Sequence, residues 1–186
     1  MIEKAICEIL AGGVVAAPAG TTFGLVCDPF CTRAVEEIFR LKRRPRDKAL
    51  LLNALDVGAV SCIASVGREE AALLENFDIT LILRANAGGT VGARLARDPV
   101  MRRLLAGAGG LLVSTSANVS GGEPCLSAAA VREAFPGLTV LDEEAPQSGI
   151  PSTIACIENG AVQILRAGAV GKTTLKVFLS KRSLIS

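Results

Sequence analysis

The sequence predicts an α/β domain built on a twisted mixed sheet flanked by helices. Short apolar runs alternate with segments whose apolar residues recur at helical spacing. Near the end, Glu158-Asn159-Gly160 separates two such runs, and Asn-Gly is a strong hairpin signal, so antiparallel pairing joins the sheet. The chain has 186 residues, half of them hydrophobic, so a sizeable core is available. No internal repeat and no linker interrupts it, so residues 1–186 read as one domain, with 169–186 a tail or closing segment.

In order, Ile2, Ala5, Ile6, Ile9 and Leu10 share one helical face, and Gly12-Gly13 ends that helix. Val14 to Ala17 reads as a buried strand. The small-residue loop Pro18-Ala19-Gly20-Thr21-Thr22-Phe23-Gly24 follows, and a βα pattern leads to a second helix through Ala34, Val35, Ile38, Phe39 and Leu41, capped by Thr32. Pro45 holds the next segment extended, and Ala49 to Leu52 is a strand. Helices are expected over 56–64 and 67–76, strands over 79–83 and 90–95, and a turn at Asn86-Ala87-Gly88-Gly89. Asp98-Pro99 starts a helix that ends at Gly107. Leu111 to Val113 is a strand, Ser127 caps a further helix that stops at Pro136-Gly137, and 138–141 is a short strand. A loop spans 142–151. The hairpin strands are 153–157 and 161–165.

Composition excludes several chemistries. There is no histidine, which removes Ser-His-Asp and Cys-His catalysis and most zinc sites. The cysteines at 7, 27, 31, 62, 125 and 156 form no C-x-x-C pair; they read as small buried hydrophobes of a reducing cytosol, and no metal site is expected. With no Trp or Tyr and six Phe, recognition of nucleic acid by ring stacking is disfavoured. A net charge of +2 names no partner. No secretory leader and no long apolar run stands out, so the expected location is the cytoplasm, away from a membrane.

Two stretches carry candidate chemistry. Five of the seven residues in Lys42-Arg43-Arg44-Pro45-Arg46-Asp47-Lys48 are basic, which suits an anion site, although a solvated helix end explains one or two of them. Leu111-Leu112-Val113 runs straight into Ser114-Thr115-Ser116-Ala117-Asn118-Val119-Ser120-Gly121-Gly122. Ser114, Ser116 and Asn118 would project from one face beyond the strand end if the backbone stays extended. Such residues cradle phosphates or polar substrates; a turn satisfying its own backbone is the alternative. Arg94 can pair with a carboxylate, Arg166 can add a phosphate contact, and Thr21, Asn118 and Ser152 can fix small polar groups. Gly171-Lys172-Thr173 lacks the earlier glycine of a P-loop, because Arg166 stands there. A site of cations and hydroxyls without a nucleophile fits transfer reactions driven by positioning and charge stabilisation.

Lys42-Arg43-Arg44-Pro45, then Ser116-Ala117-Asn118-Val119-Ser120-Gly121, Ser152-Thr153 and Leu165-Arg166-Ala167-Gly168 together resemble the YrdC family of threonylcarbamoyl-AMP synthases, over about residues 4 to 170. The resemblance implies a twisted sheet around a basic concave cavity. It also implies a reaction that converts L-threonine, bicarbonate and ATP, with Mg²⁺, to threonylcarbamoyl-AMP and pyrophosphate. A partner transferase would then modify tRNA. On the matching positions, Lys42, Arg44, Ser116 and Asn118 would be catalytic and would hold the ATP phosphates, with Lys48, Thr90 and Arg166 also on ATP. Thr21, Arg94 and Ser152 would bind threonine. Replacing Lys42 or Arg44 by Ala would abolish adenylate formation with the fold intact. This chain departs from the family's P-T-[DE]-T-x-[YF]-G, having Ala19 and Gly20 in place of the first Thr and the acid. It also departs from W-P-G-x-x-T, having Asn76-Phe77-Asp78-Ile79-Thr80 or thereabouts. The alternatives of another class are a non-catalytic RNA-binding module and a carbamoyl or nucleotidyl transfer to another acceptor.

Overall fold

The computed structural model describes residues 1–20, 22–46, 49–143 and 150–183. It begins with α1 (Ile2–Leu10), the hairpin strands β1 (Val15–Pro18) and β2 (Phe23–Cys27), and α2 (Thr32–Lys42). Next come β3 (Leu51–Ala54), α3 (Val57–Ser61), β4 (Ala64–Ser65), α4 (Arg68–Asn76), β5 (Ile79–Ala85) and β6 (Thr90–Leu95). The chain continues through α5 (Pro99–Gly107), β7 (Leu111–Ser116), α6 (Ala128–Ala134) and β8 (Thr139–Val140). It closes with β9 (Thr153–Glu158), β10 (Ala161–Arg166) and α7 (Lys172–Ser183). The ten strands form one mixed sheet in the order β10-β9-β5-β6-β3-β7-β2-β1-β8, with β4 on β5. β1–β8, β3–β6 and β5–β9 pair parallel, and the other pairs are antiparallel.

Local chemistry sets several of these boundaries. Asp98 caps α5, its Oδ1 accepting from Val100 N at 2.9 Å and Met101 N at 3.0 Å, with Pro99 in the first turn. Ser127 caps α6 through Ala130 N. Asn159 and Gly160 take φ of 51° and 73°, the left-handed pair that a two-residue hairpin turn requires. α2 ends with Arg43 in the left-handed conformation, two residues before Pro45.

Three expectations are corrected, and the closing segment gains a structure. Cys31, not Thr32, occupies the N-cap of α2, and no side chain caps that helix. The 18–24 loop does not lead into a βα unit. Phe23–Cys27 turns back as β2, antiparallel to β1, because all five of its residues are buried and need a strand partner on each side. The strand after Pro45 is shifted to Leu51–Ala54. Residues 172–183 are a helix with Leu175 and Leu179 buried in the core.

The two faces of the sheet differ. One face is apolar along its strands, with Leu25, Leu52, Ala93, Leu81, Val113, Ala155 and Val162 packed in the same cluster as Ile38 of α2, Leu73 and Leu74 of α4, Val131 of α6 and Leu175 of α7. The other face is apolar only where α1 and α5 cover it, with Val15, Val26 and Leu112 under Ile9, Met101 and Leu105. Because side chains alternate along a strand, Leu112, Ser114 and Ser116 point to that same face. The switch from leucine to serine marks where the helical cover stops.

Candidate active site

The uncovered part of that face is the floor of a cavity of about 330 Å³, within the range of small-molecule sites. Gly24, Leu51, Asn53, Arg94, Ser114 and Ser116 form the floor, from four adjacent strands. Register places them side by side: Gly24 faces Ser116, Leu51 faces Ser114 and Asn53 faces Arg94. Gly24 leaves the space above β7 open, since a Cβ there would come within 3.1 Å of Ser114 Oγ and 3.3 Å of Ala19 Cβ. The walls come from turns: Ala19 and Thr22 before β2, Arg44 after α2, Pro124, Pro151 and Ser152 before β9, and Arg166 at the end of β10.

Of the residues singled out in the sequence, Arg44, Arg94, Ser116, Ser152 and Arg166 line this one cavity. Lys42 and Asn118 adjoin it behind Ser116. Lys42 is the largest fully buried side chain, 1% exposed. Its Nζ donates to Asn118 O and Asn118 Oδ1, both at 2.9 Å, and to Ser116 O. An ammonium has three N–H bonds, so this donor set is filled by protein oxygens. Burial, and then the nearby Arg44 charge, push the Lys42 ammonium down to about 8. Ser116 Oγ donates to Asn118 Oδ1 at 2.6 Å, and Asn118 Nδ2 donates to Val119 O and Gly122 O. The end of β7 is thus tied to the end of α2, and Ser120 N closes the loop on Lys42 O at 2.8 Å. Lys42→Ala would therefore remove buried packing and these hydrogen bonds along with the charge.

Arg44 donates Nη2 to Ala49 O at 2.8 Å. Arg166 follows a β-bulge in β10, which re-aims its side chain across β9, so that Nη2 donates to Ser152 O at 2.8 Å. Ser152 Oγ in turn lies 3.0 Å from Thr80 Oγ1, both residues buried. Arg94 is half-buried on the cavity floor and donates Nη2 to Asp78 Oδ1 at 2.8 Å. Its burial lowers the guanidinium pKa; Asp78 works against that, and Arg97 and Arg166 add to it. Thr90 stands exposed at the other end of β6, opposite Arg84, and is not among the cavity's described lining. Thr21 and Lys48 lie outside the described residues.

Asn53, Thr80 and Asp78 were not singled out in the sequence. For Asn53 and Thr80 the signal was present: each is a lone polar residue inside an apolar strand, and burial without a partner is too costly to be casual. For Asp78, a carboxylate in a turn, the sequence carries no such signal. Among the described residues no helix is long and apolar enough to cross a membrane.

Residues 7–168 match the Sua5/yciO/yrdC family model, described as "Telomere recombination". A Dichelobacter nodosus protein named threonylcarbamoyl-AMP synthase is 35% identical over 181 residues, covering 89% of this chain and 93% of the relative. Among solved structures, the H234A/Y235A variant of P. abyssi Sua5 superposes with a TM-score of 0.88 at 25% identity, and P. abyssi Sua5 complexed with L-threonine with 0.86 at 26%. Each alignment covers 95% of this chain and 56% of the P. abyssi chain. With the family model matching residues 7–168 and a relative 35% identical across most of both chains, this chain belongs to the Sua5/YciO/YrdC family.

Proposed function

We infer that this chain is a threonylcarbamoyl-AMP synthase, a nucleotidyltransferase that makes threonylcarbamoyl-AMP and pyrophosphate from L-threonine, bicarbonate and ATP. One observation carries the reading: Arg44, Arg94 and Arg166, from three separated stretches, meet the hydroxyl end of β7 in a single cavity. Three guanidiniums around neutral donors suit a polyanion and a carboxylate together. The relatives named for this activity, and the neighbour that binds L-threonine, support it.

In the reaction, the threonine amine adds to bicarbonate with loss of water, giving a carbamate. A carbamate oxygen then attacks the α-phosphorus of ATP, and the bond to the pyrophosphate oxygen breaks. Both reactants are anions, so the main barrier is their mutual repulsion. Arg44 and Arg166 would neutralise phosphate charge, and Ser116 and Asn118 would serve as neutral donors by exchanging their bonds within the loop for bonds to phosphate oxygens. Lys42 would act as a buried positive charge and as the tie that shapes the 116–118 loop, since its N–H bonds are occupied. Arg94 would take the threonine carboxylate, near Ser152. The described lining carries no carboxylate, so Mg²⁺ would enter as part of the MgATP substrate, held by phosphate oxygens and water. The product is a mixed anhydride, reactive toward water, and would pass to a transferase that modifies tRNA.

The test is pyrophosphate release by the purified protein with MgATP, with and without L-threonine and bicarbonate. Release that requires both supports the synthase. Absence of release from folded protein, together with salt-sensitive RNA binding, supports the binding module instead.

A further inference from the structure

We propose that Asp78 is a positioning residue for the amino-acid substrate, holding Arg94 in the plane from which it receives the substrate carboxylate. This rests on the synthase reading above.

Arg94 is 11% exposed on its side chain, and Asp78 Oδ1 accepts from its Nη2 at 2.8 Å. Arg97, Arg166 and Asp98 are the other charged groups close to it. Asp98 Oδ1 already caps α5. Arg97 Nη2 is engaged by the carbonyls of Leu74, Glu75 and Phe77, the last turn of α4 and the residue beyond it. Asp78 is therefore the carboxylate placed directly on the Arg94 fork. Without it, two neighbouring cations would push the guanidinium away from its place on the cavity floor.

The turn that carries Asp78 is itself clamped. Arg97 gathers the carbonyls immediately before it. Phe77 meets Phe178 of α7 edge to face, centroids 4.9 Å apart. Asp78 therefore has a fixed origin and a side chain 41% exposed. One edge of the Arg94 fork is held, while Arg94 Nε is buried with no partner among the described residues. A guanidinium fixed at one edge presents its remaining N–H groups in one plane, which is what bidentate recognition of a carboxylate needs.

The geometry offers a second place from which the same job can be done. A Cβ on Gly20 would lie 3.8 Å from Arg94 Nη2 and 3.8 Å from Asp98 Cβ, whose carboxylate is engaged by the N-terminus of α5. Gly20 has φ +80°, a conformation that Asp tolerates better than most residues. A carboxylate introduced there can reach Arg94 from the opposite loop.

The experiment measures pyrophosphate release for wild type, Asp78→Asn, Asp78→Glu and the double variant Asp78→Asn with Gly20→Asp. L-threonine is varied at saturating MgATP and bicarbonate, then MgATP at saturating L-threonine, and folding is followed by circular dichroism. Asp78→Asn is expected to raise the KM for L-threonine roughly tenfold, the effect of losing a charge-assisted hydrogen bond that orients a binding group. The KM for ATP should stay within about twofold. Asp78→Glu and the double variant should each recover part of the loss. An unchanged or lower threonine KM in folded Asp78→Asn overturns the proposal, as does an equal rise in both KM values or failure of both rescues. Should Asp78→Asn not fold, Asp78→Glu and the double variant decide. Wild-type protein that releases pyrophosphate without needing threonine overturns the synthase reading first, and the Asp78 proposal with it.

Discussion

Lys42→Met keeps most of the lysine stem and deletes the ammonium, so it tests whether that ammonium organises the 116–118 loop. Three oxygens lose a donor: Ser116 O, Asn118 O and Asn118 Oδ1. Two keep another one, since Asn118 N donates to Ser116 O at 3.0 Å and Ser116 Oγ to Asn118 Oδ1. Hydrogen bonds from charged donors contribute about 1.5–3 kcal/mol each, but the three share one buried ammonium whose desolvation is removed with it. A net loss of about 2–3 kcal/mol follows, or roughly 5–10 °C in Tm for a domain of this length. With no Trp or Tyr in the chain, unfolding is best followed by far-ultraviolet circular dichroism in urea. The KM for ATP in pyrophosphate release should rise at least tenfold, because the loop that carries Ser116 and Asn118 loses its tie. Asn118→Ala in the Lys42→Met background should then cost less than in wild type, since the two residues share a bond. Stability within about 0.5 kcal/mol of wild type, with an unchanged ATP KM, would refute the tie.

Four further outcomes are expected. Lys42 is charged below about pH 8 and neutral above it, so turnover should fall with an inflection near pH 8 that Lys42→Met abolishes. Stability should respond in the opposite sense. The folded value lies below the unfolded 10.5, so between about 8 and 10.5 the unfolded chain binds more protons, and this group's contribution to stability rises with pH, measurable as the wild-type minus Lys42→Met difference in urea midpoint. Arg44→Ala should raise the ATP KM roughly a hundredfold while changing stability by less than about 1 kcal/mol, since the side chain is partly exposed; equal loss of both would mean a structural role. Gly168→Ala should cost about 1–3 kcal/mol by thermal unfolding, because its Cβ would fall on the backbone of Pro151, Ser152 and Thr153, which cannot move aside without displacing the Ser152–Arg166 bond.

The parts of the molecule legible in the sequence are those written by local rules. The Asp98 and Ser127 caps, the Asn159-Gly160 hairpin and the limits of β6 are set within a few residues of chain, so they can be read from it. β2 was not legible, because a fully buried strand has no alternation and Phe23-Gly24-Leu25-Val26-Cys27 follows a loop rich in small residues. α7 was missed for a related reason: Leu175 and Leu179, with Phe178 partly buried, make too narrow a stripe among charged and hydroxyl residues. At the site, residue types were legible and roles were not. Lys42 reads as part of an anion-binding basic run, and its place as a buried tie emerges only when the fold brings Ser116 and Asn118 around it, contacts spanning more than seventy residues of chain. Asp78 had no signal at all, because its meaning depends on Arg94, sixteen positions away.

Why the cavity lies where it does follows from the unequal cover of the sheet. A sheet face left without helices must carry polar or small residues, since exposed leucine has nothing to pack against. β7 obeys this within one strand: Leu112 lies under α5, and Ser114 and Ser116 lie beyond it. Among the described residues Arg94 is the one charged residue of the floor, and the remaining charge comes from Arg44 and Arg166 at the ends of α2 and β10. Their mutual repulsion is partly offset by Asp78 at Arg94 and by backbone carbonyls at Arg44 and Arg166, dipoles rather than full charges. The cavity lining thus carries a surplus of positive charge in a confined space. A bound triphosphate would neutralise that surplus at Arg44 and Arg166 first, since Arg94 already has its acid. On this arrangement ATP and the amino acid would meet cations of different character, and the Asp78 variants separate the two: threonine affinity should follow the Arg94 pair while ATP affinity does not.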